Sequence, residues 1–158
     1  LVDVDLRKGR VHGCFGLQNE KGFADYLTEK IELDSVIRKT MVPNLSVITA
    51  GKSAMEPSQL FSSPQMKKFI EDTRKKFDIV VYDTPPLTVI SDAALFIPQI
   101  SRVILTVRSG YTNARFLKRG LETIRESRAH LLGVVLNAFD SRDNRTYSQY
   151  YHSYQSKR

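Results

Sequence analysis

Two apolar runs in this chain end in carboxylates, and that arrangement restricts the fold more than any other feature. The first is Leu1-Val2-Asp3-Val4-Asp5-Leu6-Arg7, and the second is Ile79-Val80-Val81-Tyr82-Asp83-Thr84-Pro85-Pro86. A strand buried on both faces reads as an apolar run, and in an open parallel sheet ligands gather beyond its carboxyl end. An aspartate there suits Mg²⁺, a small hard cation usually held by one or two carboxylates together with substrate phosphates. Asp3 and Asp5 stand two apart, so on an extended backbone they share a face. A single aspartate after a strand is as often a turn residue or helix cap. Two such strands together point to one site for a metal and a nucleotide.

The rest of the chain alternates strands with helices. Apolar segments at Leu1–Val4, Leu45–Thr49, Ile79–Tyr82, Val103–Val107 and Leu132–Leu136 read as strands, each followed by polar or turn-forming residues. A helix is predicted over Thr112–Arg128, with Ala114, Leu117, Leu121 and Ile124 as the stripe docked on a sheet. A second is predicted from a Ser63 cap and Pro64 to Lys75-Lys76, burying Met66, Phe69, Ile70 and Thr73. Shorter helices are predicted at Phe23–Glu29 and Asp92–Ile97, the latter stopped by Pro98. Strands separated by helices imply crossovers and a mostly parallel sheet, an α/β fold.

Composition narrows the setting. At 158 residues, 41% hydrophobic and 26% charged, the chain has the makeup of one globular domain. No apolar run approaches the ~20 residues of a membrane-spanning helix. The lone Cys14 has no partner for an internal disulfide, which favours a reducing, cytoplasmic setting. His12, His130 and His152 are too scattered for a zinc site and read as surface or capping residues. A net charge of +7 suits phosphate ligands, anionic lipid or nucleic acid.

One expected part is missing. Strand-end carboxylates of this kind normally accompany a glycine-rich loop whose backbone N–H groups and lysine cradle phosphates. No GxxxxGK[ST] stretch is present, and Gly51-Lys52-Ser53 has no glycine five positions earlier, so Gly51–Pro57 reads as a loop. Because the chain opens inside a strand, the expectation is a carboxy-terminal piece of a longer domain. Without the preceding central strand, such a domain is expected to expose apolar surface and unpaired edges.

The residues themselves resemble a family. Val2-Asp3-Val4-Asp5-Leu6-Arg7-Lys8 looks like the Walker A′ motif, and Phe77-Asp78-Ile79-Val80-Val81-Tyr82-Asp83-Thr84-Pro85-Pro86 like the Walker B motif, of the bacterial tyrosine autokinases. The likeness continues through His12, Phe15-Gly16, Gly22-Phe23, Tyr26-Leu27, Glu56-Pro57-Ser58-Gln59-Leu60-Phe61, Asp92-Ala93, Val107-Arg108 and Gly133-Val134-Val135-Leu136-Asn137. These deviant-Walker P-loop ATPases control the chain length and export of exopolysaccharide or capsule. The resemblance implies a three-layer P-loop NTPase-like fold, here without its amino-terminal strand and phosphate loop. It implies a nucleotide-binding domain over residues 1–140 and a flexible tyrosine-rich tail over 141–158.

The tail carries much of the specificity. Tyr147, Tyr150, Tyr151 and Tyr154 are four of the chain's seven tyrosines. Their spacing would also line one helix face, but the residues between them include no aliphatic side chain, and termini favour disorder, so an exposed tail is expected. The resemblance implies that these tyrosines are autophosphorylated in trans, between subunits of a ring-like oligomer.

By the same resemblance, Asp3 serves as the base toward the attacking phenol or as its orienting group, Asp5 supports the Mg²⁺ shell, and Asp83 anchors Mg²⁺. Arg7 reaches phosphate or a partner subunit, with a plain surface arginine as the competing reading. Asn137 contacts the adenine of ATP, with a loop-start Asx turn as the competing reading. The implied cofactors are Mg²⁺ and ATP. The implied partner is a membrane adaptor of polysaccharide export, fused or separate, which places the domain in the cytoplasm at the inner face of the plasma membrane. Two other readings stay open: a partition-type ATPase that binds DNA through Arg142, Arg145, Lys157, Arg158 and the tail tyrosines, and an inert piece lacking its phosphate anchor. DNA is the less favoured partner.

Overall fold

The computed structural model describes residues 1–29, 31–87 and 92–140, which divide after Ile100 into two units. The tail over 141–158, with Tyr147, Tyr150, Tyr151 and Tyr154, lies outside the described residues. In chain order the first unit runs β1 (Val2–Asp3), α1 (Val11–Cys14), α2 (Phe23–Glu29), α3 (Leu33–Val36), β2 (Arg38–Lys39), β3 (Ser46–Val47), α4 (Pro57–Phe61), α5 (Pro64–Lys76), β4 (Tyr82–Asp83) and α6 (Asp92–Phe96), followed by a 3₁₀ turn at Ile97–Gln99. The second holds β5 (Arg102–Arg108), α7 (Ala114–Glu126) and β6 (His130–Asn137). The predicted α/β class with mainly parallel pairing holds. Among the described residues no helix is long and apolar enough to cross a membrane.

In the first unit, β1 is hydrogen-bonded on both sides. It pairs in parallel with β4, Val2 opposite Tyr82 and Asp3 opposite Asp83. Val2 N–H donates to Val81 O at 2.8 Å and Val4 N–H to Asp83 O at 2.8 Å. Toward the other side Asp3 N–H donates to Ile48 O at 2.9 Å, and β3 continues into an antiparallel pair with β2. This register brings the carboxyl ends of β1 and β4 level, which places Asp3 and Asp83 side by side.

The helices earn their places through aromatic burial. Phe23, Phe61, Phe69 and Phe96 are fully enclosed, with Met66, Leu60 and Ile70 around them. Phe23 and Phe69 meet edge to face at 4.8 Å, Tyr26 and Phe69 at 5.2 Å, and Tyr82 and Phe96 at 5.1 Å. Each such ring contributes about 1.5–3 kcal/mol by leaving water. Met66, Phe69, Ile70 and Thr73 form the buried face of α5 as predicted. The Thr73 hydroxyl meets its own turn at Phe69 O and lies 3.4 Å from the Tyr82 hydroxyl, tying helix to strand.

Several expectations need correction. Ser63 occupies the cap position of α5, but its hydroxyl donates backward to Leu60 O at 2.7 Å and makes no capping bond. The reason is local: α4 ends two residues earlier, and its last-turn carbonyls compete for the hydroxyl. The helix predicted at Asp92–Ile97 ends one residue early, at Phe96, and Pro98 sits inside the 3₁₀ turn that follows it. A proline is tolerated there because the first residues of such a turn need no N–H donor. The irregular Gly51–Pro57 loop gives way to α4 at Pro57, the first-turn position where proline is pre-organised. Of the two readings of His12, surface or capping, the side chain is partly exposed and its buried Nδ1 caps nothing, having no hydrogen-bond partner among the described residues.

The second unit departs further from expectation. β5 and β6 pair in parallel over seven positions, from Arg102 opposite His130 to Arg108 opposite Asn137. Yet Ile104, Leu132, Val134 and Leu136 are each more than half exposed. Of the predicted stripe on α7, Ile124 is buried, whereas Ala114 and Leu121 are exposed. Two strands make a platform too narrow to cover a helix of 13 residues, and among the described residues of the unit no second layer covers the sheet. Around β4 the predicted strand Ile79–Tyr82 likewise leaves Ile79 and Val81 exposed. Large apolar side chains are therefore exposed in both units.

Candidate functional site

The site is assembled where β1 ends. Asp3 has no solvent exposure, and both its oxygens serve the backbone. Oδ1 accepts from Asp5 N–H at 3.2 Å and Oδ2 from Val11 N–H at 3.0 Å, the latter at the start of α1. Burial raises its pKa; the two N–H donors oppose that, and the neighbouring Asp83 and Asp5 charges add to it. Asp3 thus curls residues 5–11 over itself. Gly9 permits the curl, because a Cβ there would stand 2.7 Å from Asp3 Oδ2 and 2.7 Å from Ala50 Cβ.

Asp5 is held differently. Its Oδ1 accepts from Arg7 N–H at 3.1 Å and Lys8 N–H at 2.9 Å. Among the described residues its Oδ2 makes no hydrogen bond, so one oxygen fixes the carboxylate and the other is presented outward. Asp83, exposed at the end of β4, makes no side-chain hydrogen bond among the described residues. Its pKa is raised by the surrounding protein first and by Asp5 second. The sequence therefore identified a trio that the fold brings together: one enclosed carboxylate and two presented ones that repel each other.

That donor set fits a small hard divalent cation. No cluster of three or more His, Cys, Asp or Glu side chains suited to a metal occurs among the described residues. A cation that keeps most of its water and takes phosphate oxygens needs only one or two carboxylates, however, and Asp5 with Asp83 supply them. Their raised or repelling charges are what a cation would relieve.

Arg7 has two side-chain partners among the described residues. Nε donates to Asp92 Oδ2 at 2.7 Å and Nη2 to Glu56 Oε2 at 3.2 Å, with Asp92 Oδ1 at 3.5 Å. Asp92 is buried at the start of α6. Beside this group lies a cavity of about 180 Å³ lined by Leu6, Arg7, Gly51, Ser53 and Glu56 among others. Its wall, the Gly51 loop, is fastened by Asp25, whose Oδ2 accepts from Gly22 N–H at 2.7 Å and Lys52 N–H at 3.2 Å. Sequence reading missed Asp92 and Asp25 as members of the site. Asp25, two residues into α2 with a glycine three before it, carried the signature of a reciprocal cap; Asp92 carried no such signal.

Asn137 ends β6 in the second unit, where its Oδ1 accepts from Ala138 N–H at 2.8 Å, a local bond of the kind a loop-start asparagine makes. The four tail tyrosines lie outside the described residues.

No protein-family model matches the chain. It is similar to tyrosine-protein kinase ptk of Acinetobacter johnsonii, 38% identical over 138 residues that cover 87% of this chain and 19% of that protein. Among solved structures it matches the kinase domain of Escherichia coli tyrosine kinase ETK with a TM-score of 0.83 and 31% identity, covering 89% of this chain and 55% of that one. The chimerical protein CapA2B2 matches with a TM-score of 0.83 and 33% identity, over 89% and 62% respectively. The chain spans about a fifth of the length of the first curated relatives it matches.

Proposed function

This chain is homologous to the bacterial tyrosine-protein kinases, and on that premise we propose that it works within an ATP-dependent protein-tyrosine autokinase domain whose acceptors are the phenols of Tyr147, Tyr150, Tyr151 and Tyr154. The observation that carries this reading is the level ending of β1 and β4, which sets Asp3 beside Asp83 and brings Asp5 close enough for its charge to raise the Asp83 pKa. Magnesium bound there with ATP supplies charge neutralisation for the transferring phosphoryl group, the main requirement of this chemistry. Asp5 and Asp83 hold and orient the site. Of the two roles expected of Asp3, its enclosure supports the orienting one, since both its oxygens already serve Asp5 and Val11. Asn137 is the proposed adenine contact.

Transfer runs in trans, between subunits of an oligomer, and the protein regulates the polymerisation and export of exopolysaccharide or capsule from the inner face of the plasma membrane. Its partner there is a membrane adaptor, fused or separate. The likeness to the chimerical protein CapA2B2 supports a kinase that works joined to a second protein's segment.

The test is incubation of the natural-length protein with Mg-ATP, followed by intact mass and phosphotyrosine mapping. Phosphate confined to residues 147–154, and abolished in D83N, is the expected result. A wild-type protein that consumes ATP without phosphotyrosine, or binds DNA with steep salt dependence instead, overturns the reading.

A further inference from the structure

We propose that Arg7 is a positioning residue for the Asp5 carboxylate, anchored by Asp92 rather than spent on phosphate. The proposal rests on the metal-nucleotide reading above. Arg7 is at once the clamp and the thing clamped: its main-chain N–H, with that of Lys8, fixes Asp5 Oδ1 at 3.1 and 2.9 Å. Its side chain reaches 85 residues along the chain to Asp92 through Nε at 2.7 Å. The turn that aims Asp5 is therefore fastened to the start of α6 through a single residue.

The two carboxylate partners are unequal. The Asp92 side chain is 4% exposed and the Glu56 side chain 67%. A surface ion pair contributes little, whereas a buried charge without its partner is costly, so the Asp92 arm dominates. A guanidinium can meet both Asp92 oxygens as a fork, at 2.7 and 3.5 Å; an ammonium cannot reproduce that geometry. One guanidinium facing two carboxylates also leaves the group net negative, which suits a strut and not a phosphate receptor. Among the described residues, Asp92 reaches Asp5 through Arg7.

The natural-length protein tests this with R7K, R7Q, D92N, E56Q and D5N. The readouts are Mn²⁺ binding in the presence of ADP, followed by electron paramagnetic resonance, ADP binding in EDTA, and thermal midpoint. We expect R7K and D92N to weaken Mn²⁺ binding about tenfold, as outer-shell partners of metal ligands do. ADP binding in EDTA stays at the wild-type value, and E56Q changes Mn²⁺ binding less than about threefold. If D92N or R7Q does not fold, R7K carries the test, because it retains the charge and loses only the fork. Lowered midpoints with unchanged Mn²⁺ affinity overturn the positioning role. Loss of ADP affinity in EDTA by R7K but not D92N overturns it in favour of a phosphate contact. If wild type and D5N bind Mn²⁺ alike, the metal-nucleotide reading itself falls; if D5N alone loses Mn²⁺, that reading stands and the role of Arg7 falls.

Discussion

Asp83 shows how the site is built against its own stability. Its carboxyl titrates above the ordinary range, because the surrounding protein disfavours the charge and Asp5 repels it. A raised carboxyl pKa means that ionisation opposes folding: its stabilising effect is complete below the unfolded pKa and is lost as the pH rises through the folded one. At pH 7 the wild type carries that opposition in full. Without divalent cation, D83N is therefore expected to melt above wild type at pH 7, by no more than about 3 °C. The gap is expected to close as the pH falls through the raised pKa of Asp83, where the wild-type carboxyl becomes neutral too. Thermal denaturation at pH 7 and pH 4 checks this, and a gap that widens on acidification contradicts it. Function residing at the unstable end of the ledger is the general pattern of sites where like charges await a cation.

Helix ends expose what a sequence conveys and what it hides. The body of α5 was legible because Met66, Phe69, Ile70 and Thr73 recur at the helical period, and its start because Ser63 and Pro64 are a strong pair. The bond was not legible, since the sequence does not say that α4 ends at Phe61 and offers the Ser63 hydroxyl a carbonyl. In α7 the working cap is Asn113, whose Oδ1 accepts from Arg115 N–H at 2.8 Å. N113A is accordingly expected to cost about 0.5–2 kcal/mol. S63A is expected to cost less than about 0.5 kcal/mol, because Leu60 O keeps the Ser63 N–H at 3.1 Å. Urea denaturation of both variants checks the ordering; equal losses contradict it. The short α3 and β2 were missed because four and two residues hold no readable period. The carboxylates of the site were read from their strands, while their supports were not: nothing local links Arg7 to Asp92, and only the fold brings them within 2.7 Å.

Charge governs the behaviour of the whole protein under the proposed reaction. The chain carries a formal +7, and each phosphotyrosine adds about −1.5 to −2 near neutral pH. Four of them bring roughly −6 to −8, enough to cancel the chain's positive charge, and place all of it within eight residues. The unmodified tail, with Arg142, Arg145, Lys157 and Arg158 against Asp143, is net positive and can enter a neighbour's site beside nucleotide phosphates and the Asp5 and Asp83 carboxylates; four phosphates make it net negative, and both then repel it. Autophosphorylation is thus expected to convert an oligomer held by tail docking into monomers. In sedimentation velocity with Mg-ATP, the natural-length wild type should shift to the smaller species as phosphotyrosine accumulates. A variant with Tyr147, Tyr150, Tyr151 and Tyr154 all changed to Phe should remain assembled, because its tail cannot acquire charge. Raising the salt should narrow the difference, since exposed charges are screened over about 8 Å at physiological ionic strength. If the phenylalanine variant disperses as readily as wild type, tail charge is not what separates the subunits, and the disassembly mechanism fails while the kinase assignment stands on its own test.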